Sequence, residues 1–293
     1  MTPRELIRLM AADMEQAGVP DAQVDASLLL SHITGQNPMN LRLDSWSQVS
    51  LADEATLRAL CKKRKARTPL QYLTGVQSFL GRDFHVDERV LIPRPETELL
   101  AERAIALLRS IPSPTALDLC CGSGCLAVSL ALGSPKANVH GADLSEGALA
   151  VTQLNAERLG AKVTLHQGDL FDALPEGFQF DVIVSNPPYI PAADCLCLQE
   201  EVRQEPLMAL DGGADGYDFY RRIAQEAPRF LRAGGTLLME VGFDQAAAVM
   251  ALYEAGGLTP VAMHEDYQHI PRIVEARLSC SINLSGSQPG TRS

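Results

Sequence analysis

Four consecutive residues, Asn186-Pro187-Pro188-Tyr189, follow directly on the apolar run Asp181-Val182-Ile183-Val184-Ser185. Each proline fixes φ and lacks a backbone N–H. A turn built on two of them is therefore stiff and presents mainly acceptors, the Asn186 side-chain oxygen and the backbone carbonyls. Such a corner suits a donor with two N–H bonds, the NH2 of an amide or of an amino group. Tyr189 offers a flat face against which a planar amide or a nucleobase could pack. The plain alternative is a proline-rich turn with a capping asparagine.

A second cluster lies upstream. Leu117-Asp118-Leu119-Cys120-Cys121 reads as a strand that runs into Gly122-Ser123-Gly124-Cys125-Leu126-Ala127. That is a glycine-rich turn opening a helix at a strand's carboxyl end, where open α/β sheets bind ligands. Gly122, Gly124 and Ala127 match the dinucleotide-binding pattern, and Asp143, about twenty residues on, can accept both hydroxyls of a ribose. The pattern alone leaves a nicotinamide dinucleotide and S-adenosylmethionine both open. Asp118 points to the second, because a carboxylate just ahead of the turn opposes a pyrophosphate and suits ammonium and sulfonium charges. In the competing reading Asp118 caps nearby backbone amides and the glycines only make a tight turn.

A sulfonium methyl beside a corner that binds NH2 implies methyl transfer to a planar nitrogen. The lone pair of an amide nitrogen is delocalised into its carbonyl and attacks carbon poorly. Two acceptors that fix both N–H bonds aim the nitrogen and favour the more pyramidal, more positive transition state. His85, His140, His166, His264 and His269 are scattered singly and read as structural or surface residues.

These residues need elements to hold them. From Thr2 to about Gly75 the pattern is helical: Thr2-Pro3 start a helix with Leu6, Ile7, Met10 and Met14 on one face, and further helices are expected over 21–32 and 50–67. The run Lys62-Lys63-Arg64-Lys65-Ala66-Arg67 reads as a solvated helix terminus, or as a patch for an acidic partner or RNA. Ser78 to Ile92 suggests a hairpin around Gly81-Arg82. A helix over 96–111 comes next. Strands and helices then alternate to about residue 278, giving about seven strands with the rhythm of a parallel sheet covered on both faces. The expected organisation is a helical domain over 1–76, a hairpin linker over 77–94, an α/β domain over 95–279 and a disordered tail over 280–293.

Composition excludes several classes. The chain has 293 residues, 46% of them hydrophobic, with 25 Lys+Arg against 36 Asp+Glu for a net charge of −11. That balance repels a phosphate backbone and argues against stable nucleic-acid binding. No apolar run approaches the roughly 18 residues of a membrane span. Met1 to Met14 carries Glu5 and Asp13, so it reads as no secretory signal, and a cytoplasmic protein is expected. The 7 cysteines follow neither zinc spacings nor a disulfide scaffold, so no metal is expected.

The sequence resembles the HemK/PrmC family of S-adenosylmethionine-dependent methyltransferases, which modify a glutamine amide in class 1 peptide chain release factors. The similarity covers about residues 2–278. It includes Thr68-Pro69-Leu70-Gln71-Tyr72-Leu73-Thr74-Gly75, Leu91-Ile92-Pro93-Arg94-Pro95-Glu96-Thr97-Glu98, Asp118 to Gly124, Asp143, Gly168-Asp169, Ser185 to Tyr189, and Glu205 to Leu210. The resemblance implies an α/β fold, a seven-stranded Rossmann-like class I methyltransferase domain preceded by a small helical domain that grips the release factor. It implies cofactor contacts from Cys120, Cys121, Gly122, Ser123, Gly124, Asp143, Asp169, Leu170 and Asn186. Asn186 and Pro187 would hold the target amide nitrogen of a Gly-Gly-Gln motif, with Pro188 and Tyr189 beside it and Arg94 to Glu98 near the mouth. Three departures stand out: Cys120 where many relatives carry glycine, Leu170 where some carry tryptophan, and Gln204 where an aromatic often precedes Glu-Pro. Rival readings are a ribosomal-protein glutamine methyltransferase, an adenine amino-methyltransferase, an RNA-binding module resting on Lys62 to Arg67, and a nicotinamide oxidoreductase.

Overall fold

The computed structural model describes residues 1–279; the expected tail over 280–293 lies outside the described residues. The chain opens with five helices, α1 (Pro3–Gln16), α2 (Ala22–Thr34), α3 (Pro38–Leu43), α4 (Leu51–Lys65) and α5 (Leu70–Thr74). Thr2 caps α1 by accepting the Glu5 N–H while the Glu5 carboxylate accepts the Thr2 N–H, so two otherwise orphaned donors are satisfied reciprocally. Asn37 and Ser50 cap α3 and α4. The short helices α3 and α5 span at most two turns, too few for periodicity to reveal. Leu6, Ile7, Met10 and Met14 of α1 pack with Leu29, Leu30, Leu57 and Cys61 in a core of their own.

A hairpin, β1 (Val76–Phe79) and β2 (Arg82–His85), turns through Leu80-Gly81 and leads to α6 (Pro95–Arg109). Then follow β3 (Thr115–Leu119), α7 (Cys125–Gly133), β4 (Asn138–Asp143), α8 (Glu146–Leu159), β5 (Val163–Gln167) and β6 (Phe180–Ser185). After a long connection come α9 (Asp218–Phe230), β7 (Leu231–Glu240), α10 (Ala246–Ala255), β8 (Thr259–Glu265) and β9 (Pro271–Arg277). The sheet order is β5-β4-β3-β6-β7-β9-β8, and apolar clusters fill both of its faces. The fold is that of a class I methyltransferase. The sheet is mixed rather than parallel throughout, because β9 runs antiparallel to both β7 and β8. The cause is the short connection from β8 to β9, where the Asp266 carboxylate accepts the N–H groups of Gln268 and Ile270; a link of that length only reverses direction.

From β3 the chain builds outward through β4 to β5, then returns to place β6 on the other side of β3. A crevice opens where the order reverses, at the carboxyl ends of β3 and β6. The register pairs Leu119 with both Ala142 and Ser185, and Asp143 with Gln167. Cys120, Asp143, Gly168 and Asn186 therefore leave the sheet along one edge.

The basic run that ends α4 is only in part the solvated terminus expected from the sequence: Lys62 and Lys63 are exposed, and the other cations are held. Arg64 is 5% exposed; it donates to Asp25 of α2 at 2.8 Å and to Glu201 at 2.9 Å. Arg67 donates to Glu200, Glu201 and the Gly18 carbonyl, and Lys65 to Asp13. Three of the cations thus bind carboxylates of the chain itself, and two of them, Arg64 and Arg67, latch the helices to the long connection after β6. Arg64→Met would leave the sheltered Asp25 carboxylate without its cation, Glu201 keeping Arg67, and is expected to lower unfolding stability by about 3 kcal/mol. Urea denaturation checks this, and a loss below about 0.5 kcal/mol, the scale of an exposed pair, would contradict it.

Candidate active site

The turn after β3 takes its shape from close approach. Gly124 has φ +78°, and a Cβ there would stand 2.6 Å from the Thr152 side chain, so the position admits only glycine. Cys120 adopts φ +61° without being glycine. Asn155 of α8 ties the turn to the hairpin, donating to the carbonyls of Ser123 and His85 and accepting the His85 N–H.

Asp118 faces the start of α7 and not the sheet edge. Its side chain is wholly buried, its Oδ2 accepts the Ala127 N–H at 2.9 Å, and burial pushes its carboxyl well up. The carboxylate at β3 caps the first turn of α7, which is the competing reading of the sequence; its other oxygen has no partner among the described residues. Asp143 is the acid at the edge. Its Oδ2 accepts the Gly122 N–H and its Oδ1 the Ser145 N–H, both at 2.9 Å, while burial holds the carboxyl above its ordinary range. Each oxygen keeps a second lone pair.

A cavity of about 410 Å³ lies over this edge, within the size range of small-molecule sites. Its floor includes Cys120, Gly122, Asp143, Asp169 and Leu170; its wall includes Asn186 and Pro188; Val90, Leu91 and Pro206 to Ala209 roof it. Glu205 holds the roof together. Its buried carboxylate accepts the Ile92 N–H at 2.9 Å and a donor of Arg94. Asp169 is paired with Arg222 of α9 at 2.9 Å. A carboxylate with free lone pairs, apolar sides from Ala142, Leu144 and Leu170, and the Phe219 ring suit a nucleoside with a ribose diol and a flat base.

Asn186 and Pro188 stand where β6 breaks. Val182, Ile183 and Val184 are buried and carry the strand through the core, and Ser185 anchors its end by donating to the Leu119 carbonyl at 2.8 Å. The prolines then end the ladder. Asn186 Nδ2 donates to Thr97 Oγ1 at 3.3 Å, and the Thr97 hydroxyl donates to Glu240 at 2.6 Å. Asn186 Oδ1 receives no side-chain hydrogen bond, and the carbonyls of Asn186 and Pro187 no loop backbone hydrogen bond, among the described residues.

Cys120, Gly122, Asp143, Asp169, Leu170, Asn186 and Pro188 thus meet around one cavity. Cys121, Ser123 and Gly124 shape the turn without lining it, and Pro187 is buried and outside the lining, its carbonyl accepting no loop backbone hydrogen bond among the described residues. The Tyr189 ring packs against the apolar cluster beneath the sheet rather than lining the cavity, and its carbonyl accepts from Gln245. His140 and His166, which read as isolated, stand side by side on β4 and β5 with ring nitrogens 2.8 Å apart, away from the cavity. The sequence reading gave no role at the site to Phe219, Arg222 or Glu240; no motif marks them.

Comparison with known proteins places these features. Residues 5–75 match the model of the PrmC N-terminal domain, and residues 97–201 that of the methyltransferase small domain. The release factor glutamine methyltransferase of Geobacter sulfurreducens is 43% identical over 279 residues, covering 94% of this chain and 97% of the relative. That of Bordetella pertussis is 43% identical over 256 residues, covering 87% and 94%. Among solved structures, a methyltransferase from Pyrococcus furiosus superposes with a TM-score of 0.54 at 18% identity, over 74% of this chain and 99% of that one, a likeness of fold.

Asp143→Ala removes a carboxylate whose remaining lone pairs sit beside the glycine turn. Calorimetric titration with S-adenosylmethionine is expected to show affinity weakened by about 1.5–3 kcal/mol, and unchanged affinity would contradict this placement.

Proposed function

The chain belongs to the family of release factor glutamine methyltransferases, and from that premise we propose that it methylates, from S-adenosylmethionine, the side-chain amide nitrogen of the glutamine in the Gly-Gly-Gln motif of a class 1 peptide chain release factor. One observation carries the reading of the site. The acceptor corner at Asn186 shares a single cavity with Asp143 and the turn after β3, so a nucleoside-bearing cofactor and a carboxamide can meet there.

Asp143 would take the ribose hydroxyls, Leu170, Leu144 and Phe219 would flank the base, and the Cys120 to Gly122 turn would hold the amino-acid end. When bound, S-adenosylmethionine supplies a methyl carbon made electrophilic by the positive sulfur. Asn186 Oδ1 and the Pro187 carbonyl accept the two N–H bonds of the glutamine carboxamide. With both bonds fixed, the nitrogen has one direction left for its lone pair, and the acceptors stabilise the positive charge that grows on it. The nitrogen releases a proton after transfer, so no strong base has to act first. The stretch clamped by Glu205 borders the cavity through Val90, Leu91 and Pro206.

The match of residues 5–75 to the PrmC N-terminal domain supports α1 to α5 as the part that grips the protein substrate. Their latch through Arg64 and Arg67 fixes that grip relative to the corner. The net charge of −11 favours a protein target over adenine in nucleic acid.

Asn186→Ala is expected to lower methyl transfer to a purified release factor by about a hundredfold or more, with S-adenosylmethionine affinity within about threefold of wild type. Single-turnover transfer of labelled methyl, followed by peptide mapping, checks both rate and target. Undiminished transfer in that variant, or label on a residue other than the motif glutamine, would refute the reading.

A further inference from the structure

We propose that Thr97 and Glu240 are positioning residues that determine which end of the Asn186 amide faces the cavity. The assignment rests on Asn186 being the residue that receives the target carboxamide.

An asparagine amide is nearly symmetric in shape and opposite in function at its two ends. Presented oxygen-first it accepts from the target NH2; presented nitrogen-first it sets donor against donor. Something must choose. Glu240 ends β7 and Thr97 sits in the first turn of α6, both 2% exposed. The Thr97 hydroxyl has one proton, and at 2.6 Å from Glu240 Oε2 it donates that proton to the carboxylate, which when ionised can only accept. Towards Asn186 the Thr97 oxygen is then an acceptor alone, and the amide answers with Nδ2 at 3.3 Å. Oδ1 is left for the cavity that Asn186 lines. The polarity of the corner is thus set by a chain of committed protons that begins 143 residues from Thr97 in sequence.

The chain has a condition, the charge on Glu240. Burial, the largest influence, pushes its carboxyl up to about 7. Glu96 raises it further, while the Thr97 hydrogen bond, Arg272 and Arg94 lower it. The other groups that face it are Tyr189, Tyr220 and Cys125. Once protonated, Glu240 becomes a donor, the Thr97 proton is free to turn towards Asn186, and the amide can be held oxygen-inward. Turnover should therefore be present above about pH 7 and fall as the pH drops through it.

The test uses the full chain with a purified release factor. Thr97→Val and Glu240→Gln are expected to lower kcat about tenfold or more while leaving the S-adenosylmethionine Kd within about twofold. Thr97→Ser, which keeps the hydroxyl, should recover most of what Thr97→Val loses. Glu240→Gln, close to isosteric, should also remove the acidic limb of the kcat–pH profile. In an Asn186→Ala background, Thr97→Val should cost nothing further, because the group it orients is gone. Wild-type kcat in Thr97→Val, equal damage from Thr97→Ser and Thr97→Val, an acidic limb that persists in Glu240→Gln, or additive losses in the double variant would each overturn the proposal. If Asn186→Ala alone keeps full activity, it is the role of Asn186 itself that fails. If it is inactive while Thr97→Val is unimpaired, only the positioning role fails.

Discussion

Two adjacent prolines at the end of a buried strand create the condition on which the site depends: a fixed patch of backbone that can accept hydrogen bonds and can hardly donate them. Ordinary strand ends alternate N–H and C=O, and a carboxamide docking there would meet both. Pro187 and Pro188 remove two donors at once. The Ser185 bond to the Leu119 carbonyl holds the corner to the neighbouring strand, so its carbonyls do not drift. The buried run Val182 to Val184 carries β6 through the core between β3 and β7.

The sheet order supplies the second half. Because β3 lies between β4 and β6, the glycine turn, Asp143 and Asn186 emerge along one edge although they come from three strands. The cavity is completed by segments far from that edge in sequence. Glu205 pins the stretch around Ile92 and Arg94, and Arg64 and Arg67 tie the N-terminal helices to Glu200 and Glu201, a few residues before Glu205. The N-terminal helices and the stretch around Arg94 are thus joined by ion pairs to the one connecting segment that follows the acceptor corner.

Contiguous features were legible in the sequence. Periodicity and caps located the long helices, apolar runs located the strands, and the glycine turn, Asp143 and Asn186 to Tyr189 stood out because their chemistry lies in consecutive residues. Direction was not legible. A carboxylate at a strand end can face a ligand or the helix that follows it, and Asp118 turns to Ala127. Tyr189 likewise turns its ring into the apolar cluster. Arg64, in a run that reads as solvated, is buried because Asp25 and Glu201 converge on it from distant segments. The contacts that orient the corner, Thr97 to Glu240 and Thr97 to Asn186, join residues that nothing in the linear order connects.

The central claim is geometric: the target carboxamide nitrogen lies in the acceptor corner, aimed at the cofactor's sulfur. A crystal structure of the protein with S-adenosylhomocysteine and a release-factor domain carrying the motif glutamine tests it most directly. The account predicts the glutamine nitrogen within hydrogen-bond distance, about 3 Å, of both Asn186 Oδ1 and the Pro187 carbonyl, with its free face towards the sulfur. A glutamine bound elsewhere, or a corner that contacts it through Asn186 Nδ2, would contradict the account.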